Sequence, residues 1–230
     1  MEFVGFEKIS LVDYKDLIVS TLFTKGCNFK CGFCHNSSLV LNEIEPSTIP
    51  FDEILSYLKG RKGIVEGVCI SGGEPTLMVD LKEKILALKA LGLKIKLDTN
   101  GYRPDVLKEL IEEKLVDYVA MDIKGSLKKY SQITAVSGLD LSLIKESINL
   151  LLENKVEYEF RTTLIEEYHM EEDFEEIALL IKGANNYYLQ RFKNSDNCIL
   201  NNLHEVDIKK ASKIRDFLLN YIPNVSFRGY

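Results

Sequence analysis

The sequence predicts an α/β fold, specifically a partial and open (β/α)6 TIM-like barrel of parallel strands. Three observations predict it. Short runs rich in β-branched and aromatic residues alternate with amphipathic runs along most of the chain. Roughly six such units are too few for a closed eight-unit barrel, which typically takes about 250 residues, and the chain has 230. Each candidate strand ends in polar or glycine-rich residues, and in parallel β/α folds those ends converge on the mouth where ligands sit.

The elements follow in order. The first strand is expected over 17–24 (LIVSTLFT), directly before GCNFKC. The helix FDEILSYLKG, 51–60, has apolar residues at three- and four-residue spacing, with Gly60 as its C-cap. Strand 67–71 (GVCIS) runs into SGGEP, and the helix LKEKILALKALG, 81–92, closes on Gly92. Strands over 94–99, 118–123, 157–164 and 187–192 end in DTNG, DIKG, FRTT and LQRF. Helices are expected near 104–114, 141–154, 173–182 and 206–220. No low-complexity linker or repeat interrupts them, so residues 1–230 are expected to form a single domain. In that reading 1–16 is an N-terminal extension packing on the barrel and 193–230 a C-terminal one.

Composition narrows the function. A hydrophobic content of 46% is enough to fill a core. The net charge of -6, with no run of Lys and Arg interleaved with aromatics, gives no footprint for nucleic acid. The opening MEFVGFEKIS lacks the charged and apolar regions of a signal peptide. No apolar run approaches the ~20 residues of a membrane helix. A protein of the reducing cytoplasm, without nucleic-acid or membrane partners, is the expectation.

The chemistry concentrates in TKGCNFKCGFCHN, where Cys27, Cys31 and Cys34 have the spacing C-x3-C-x2-C. A structural zinc site wants four protein ligands, and His35, adjacent to Cys34, is poorly placed to be the fourth. Three cysteines in one tight loop also leave one unpaired as disulfides. An iron-sulfur cluster normally takes four thiolates, so with three one iron stays open to another ligand. Elsewhere the signals are ambiguous alone. SGGEP reads as a tight turn in which Pro75 stops the strand, Asp98, Thr99 and Asn100 as a cap or Asx-turn, and Asp122 with Lys124 as a solvated charge pair. Cys69 reads as a core thiol, His169 as a solvated loop residue, and Cys198 takes no role.

The cysteine loop followed by SGGEP resembles the radical S-adenosylmethionine (SAM) superfamily, over most of the chain. The resemblance implies one 4Fe-4S cluster on Cys27, Cys31 and Cys34, whose open iron is chelated by SAM. Gly72, Gly73 and Glu74 would meet the methionine end of SAM, Glu74 accepting from its ammonium group. Lys124 and Arg161 would face its carboxylate and ribose. Phe33, Asn36, Asn100 and Gln190 complete the expected SAM set, Phe33 with Phe29 shielding the cluster. Asp98, Thr99 and Asp122 match positions that hold a monovalent cation beside SAM in a related activating enzyme.

A narrower resemblance rests on the N-terminal VGFEKISLVDY, the pair His35-Asn36 after the last cluster cysteine, and LDTNG, MDIKG, FRTT and LQRF. These are similar to the activating proteins of anaerobic ribonucleoside-triphosphate reductase, a group of glycyl-radical-enzyme activases. That resemblance implies an enzyme in which a flavodoxin or ferredoxin reduces the cluster, SAM is cleaved to methionine and a 5'-deoxyadenosyl radical, and the radical takes a hydrogen atom from a glycine Cα of a partner enzyme. The alternatives are a radical SAM enzyme acting on a small molecule, of the 7-deazapurine synthase type, an activase of another glycyl radical enzyme, or a zinc-binding module without activity.

Overall fold

A computed structural model describes residues 3–41 and 47–230. Its strands form one eight-stranded sheet that follows chain order. These are β1 (Phe3–Ser10), β2 (Val19–Thr24), β3 (Gly67–Gly72), β4 (Lys94–Thr99), β5 (Tyr118–Asp122), β6 (Glu157–Leu164), β7 (Asn186–Arg191) and β8 (Asn224–Arg228). From β2 onward each strand pairs in parallel with the next, while β1 runs antiparallel to β2. The helices are α1 (Ser37–Leu41), α2 (Phe51–Gly60), α3 (Leu81–Lys89), α4 (Pro104–Glu112), α5 (Tyr130–Thr134), α6 (Leu141–Leu152), α7 (Asp173–Leu180) and α8 (Ile208–Leu218). Among the described residues no helix is long and apolar enough to cross a membrane.

The six expected parallel strands are present, and the flanking segments each add one more. The N-terminal extension is itself the edge strand β1 from Phe3 on, with residues 1 and 2 outside the described set. Beyond residue 193, α8 and β8 continue the parallel series. Both strands are weak signals. Gly5 and the exposed Glu7 and Lys8 blur the alternation of β1, and β8 is only five residues long. The five-residue helices α1 and α5 are likewise too short for a periodic pattern.

Local chemistry sets the helix ends. Pro104 opens α4, where a missing N–H is harmless. Asp140 accepts from the Ser142 N–H at the start of α6, and Asp207 from Lys209 and Lys210 N–H at the start of α8. Gly92 has φ +82° and stops the turn after α3, as expected. Gly60, expected as a C-cap, is instead the last residue of α2; Arg61 caps it, and the left-handed residue is Gly63.

The strands are buried on both faces. Toward the helices, Val68, Ile70, Ile95, Leu97 and Val119 pack in one apolar cluster with Ile54, Leu58, Ile85, Leu107, Ile144 and Ile177. Each such fully buried side chain contributes about 1.5–3 kcal/mol. The interior face of β4, β5 and β6 carries charge instead: Lys96, Asp98, Asp122, Glu159 and Arg161. An apolar outer layer thus surrounds a charged interior, whose Asp98, Asp122 and Arg161 line the cavity at the barrel mouth.

Candidate active site

The loop from β2 to α1 brings Cys27, Cys31 and Cys34 to that mouth as free thiols, in one cavity with the ends of β3, β4, β5 and β6. The loop is held from within, by Cys34 N–H to Cys31 O at 3.0 Å, and from outside, by Lys30 N–H to Thr134 O at 2.8 Å. Phe29 is buried against Tyr102 and Tyr130, and Phe33 packs on Tyr168. Burial pushes the Cys27 thiol up to about 12 and that of Cys31 to about 11, so thiolates here need a positive partner. Lys124 pulls both in that direction.

The glycine-rich segment lies against this loop backbone to backbone. Gly73 N–H donates to Thr24 O at 3.0 Å, and Glu74 N–H to Gly26 O at 2.8 Å. A Cβ on Gly73 would stand 1.9 Å from Gly26 O, and Gly72 has φ +119° with Thr24 N 2.3 Å from a Cβ position. Only glycine fits at either place. Asn36 Nδ2 donates to Gly72 O at 3.1 Å, tying the end of the cysteine motif to the turn.

Glu74 does something other than wait for an ammonium group. Its buried carboxylate accepts from Thr76 N–H and Oγ1, from Thr99 Oγ1 and from Asn100 N–H, at 2.6 to 3.2 Å. Burial raises this carboxyl, against those donors. With this set of donors its visible role is to fasten the ends of β3 and β4 together. Asn100 in turn donates through Nδ2 to Asn28 Oδ1 at 2.7 Å, beside Cys27.

Across β4, β5 and β6 runs an ionic ladder set by strand register. Arg161 pairs directly with Asp122 in the sheet, and its Nε lies 2.8 Å from Asp122 Oδ1. Its other end reaches Asp98 Oδ2 at 3.3 Å. Lys96 Nζ lies 2.6 Å from Asp98 Oδ1, and Lys124 Nζ 2.9 Å from Asp122 Oδ2. Burial alone would raise the Asp98 carboxyl; Arg161 and Lys96 outweigh it and hold the group well below the usual carboxylate range. Three cations face two carboxylates, leaving one positive charge in excess.

Of the expected residues, the cavity collects all three cysteines with Phe33, Asn36, Gly72, Gly73, Glu74, Asp98, Thr99, Asn100, Asp122, Lys124 and Arg161. Gln190, on β7 opposite Thr163, is not among its lining residues. Ser71 and Thr163 line it unforeseen. Cys69 is buried, as expected of a core thiol. Cys198 is buried too, with its Sγ 3.6 Å from His35 Nδ1 in a loop that returns over the cysteine motif. His169, expected in solvent, is fully buried: its Nδ1 accepts from Ile165 N–H at 2.9 Å and its Nε2 meets Lys124 O at 3.0 Å.

The model of the radical SAM superfamily matches residues 21–181, and the chain belongs to that superfamily. It is an enzyme of the class that carries a 4Fe-4S cluster and uses SAM. The chain is 33% identical to a protein of Methanocaldococcus jannaschii named as a glycyl-radical enzyme activating enzyme, over 97% of this chain and 94% of that one. A second protein of that organism, named likewise, is 30% identical over 95% of this chain and 83% of its own length. Among solved structures, SuiB of Streptococcus suis bound to S-adenosylmethionine shares the fold with a TM-score of 0.67 at 17% identity, covering 91% of this chain; the chain spans about half, 52%, of SuiB.

The residues present fit the cluster and SAM: free thiols gathered at one mouth, the glycine turn lining the same cavity, and surplus positive charge in the ladder beside it. They do not fit a monovalent cation in the same way. All four oxygens of Asp98 and Asp122 already accept from Lys96, Arg161, Lys124 or Ser71. The Thr99 hydroxyl is turned to Glu74, 2.8 Å away.

Proposed function

We propose that this enzyme is a glycyl-radical-enzyme activase whose partner is anaerobic ribonucleoside-triphosphate reductase. The observation that carries it is the near full-length match to proteins named as glycyl-radical enzyme activating enzymes. In this reading Cys27, Cys31 and Cys34 hold the cluster, and Phe29 and Phe33 shield it from water. The glycine turn admits the methionine end of SAM close to the backbone, with Asn36 and Asn100 fixing the turn against the cysteine loop. The excess cation of the ladder, from Arg161 and Lys124, attracts the carboxylate of SAM. When bound and reduced, the cluster supplies the electron that cleaves SAM, chemistry the side chains themselves do not perform. Electrons come from a flavodoxin or ferredoxin in a reducing cytoplasm.

The test is anaerobic. The reconstituted protein, SAM, a reductant and the reductase of the same organism are mixed and electron paramagnetic resonance is recorded. A glycyl-radical doublet in the partner is expected, dependent on SAM and lost with Cys27→Ala, Cys31→Ala or Cys34→Ala. SAM turnover coupled to a small molecule, with no glycyl radical on any candidate partner, would replace the activase reading with the small-molecule one.

A further inference from the structure

Asp98 sits two residues after Lys96 on β4, so both side chains point into the barrel interior. The Lys96 ammonium, whose side chain is only 5% exposed, lies 2.6 Å from Asp98 Oδ1. Its other polar neighbour is the Cys69 thiol at 3.8 Å. Asp98 Oδ2 is taken by Ser71 Oγ at 3.2 Å and Arg161 Nη1 at 3.3 Å. A free ion entering between Asp98 and Asp122 would add a fourth cation to a site where three already face two carboxylates.

We infer that Lys96 is the resident counter-cation of this site: its ammonium, fixed on Asp98 from inside β4, takes the place of a bound monovalent ion, so SAM binding does not depend on which such ion is in solution. The inference rests on SAM occupying this cavity. It makes Lys96 a positioning residue, acting on SAM through the charge and orientation of Asp98 and, beyond it, Arg161. A lysine differs from a bound ion in two ways that matter here. It cannot leave when SAM leaves, and it costs no ion capture when SAM arrives. A buried carboxylate that loses such a partner is left uncompensated, which is strongly unfavourable.

The experiment uses the full chain, reconstituted anaerobically, in buffers whose only monovalent metal ion is potassium or sodium, or with tetramethylammonium as the sole cation. SAM affinity is measured by equilibrium binding, and direct ion binding by line broadening of thallous ion in its nuclear magnetic resonance spectrum. The wild-type protein should bind SAM equally, within about twofold, in all three buffers, and should leave the thallous line unchanged. Lys96→Met should bind SAM about tenfold more weakly in tetramethylammonium, regain affinity in potassium, and broaden the thallous line. A structural defect alone would not be rescued by an ion. Wild-type SAM binding that requires potassium or sodium overturns the inference, and this arm stands even if Lys96→Met fails to fold. A folded Lys96→Met that matches the wild type in every buffer overturns it too. A chain that binds SAM in no buffer removes the SAM reading itself, a result distinct from ion dependence, and this inference with it.

Discussion

His169 shows how one side chain can join two loops of the mouth. Its Nδ1 accepts from Ile165 N–H, so the proton is on Nε2, which donates to Lys124 O. The ring therefore fixes the backbone of the residue whose ammonium holds Asp122. Removing it with His169→Ala should lower stability by about 2–4 kcal/mol, from the cavity and the two orphaned backbone groups together. Burial moves this imidazole down from 6.5 to about 4, because a second proton would put a charge in the interior. The unfolded chain takes up that proton near pH 6.5 and the folded one only near 4. The contribution of His169 is thus complete above about pH 6.5 and drains away as pH falls toward 4, by on the order of 3 kcal/mol. Urea denaturation across that range should show a shallower acid loss in His169→Gln than in the wild type; parallel curves would refute the assignment. Nothing in EEYHMEED signals this burial, since its acidic neighbours are those of a solvated loop and the acceptor Lys124 O belongs to the preceding strand's loop.

At the level of elements, the end of β3 and the loop after β2 work as one unit because glycine lets two backbones touch. Gly73→Ala drives a Cβ into the Gly26 carbonyl, a backbone atom that cannot rotate away. It should destabilise the fold by about 2–4 kcal/mol and lower the iron content after anaerobic reconstitution, because the cysteine loop must move. Gly63→Ala is the control. Gly63 has φ +84° but nothing within 4 Å of a Cβ, so only the left-handed strain of about 1–2 kcal/mol is felt, and iron content should match the wild type. Equal iron in both variants would refute the coupling. Both parts of this unit were legible in the sequence, since GCNFKCGFC and SGGEP are contiguous runs whose residue types have few other uses. The ladder was legible only in part. Asp98, Asp122, Lys124 and Arg161 stand out at strand ends, whereas Lys96 looks like one more lysine in a strand. Its meaning appears once the strand places it beside Asp98 on the interior face of β4, with β3 and β5 on either side. The bonds that hold Glu74 were hidden for a related reason: its four donors come from Thr76, Thr99 and Asn100, which sequence alone does not bring together.

In the whole molecule, the sheet's last strand is anchored to its middle. Arg228 on β8 donates from Nη1 and Nη2 to the two oxygens of Glu159 on β6, at 2.8 and 3.1 Å, and Tyr118 OH on β5 adds a third bond at 3.0 Å. The Glu159 side chain is 4% exposed. Arg228→Ala should therefore lower stability by about 2–3 kcal/mol in chemical denaturation, while the double change Arg228→Met with Glu159→Leu should recover most of it, as expected when the loss comes from a stranded charge. A double variant as weak as the single one would mean that packing, not charge, is at stake. The number of parallel units was read correctly up to β7 because each has a β-branched core and a helix behind it; β1 and β8 lacked that contrast. The segment after β7 has a further effect that concerns time. It closes over the cysteine motif through Leu200 N–H to Gly32 O at 2.8 Å, with Cys198 buried beside His35. Translation proceeds from the N-terminus, so the three thiols leave the ribosome early and the segment that covers them leaves late. During that interval the nascent loop lacks the segment that packs over it in the finished fold, so the cover of the cysteine motif is the last part of the site to be made.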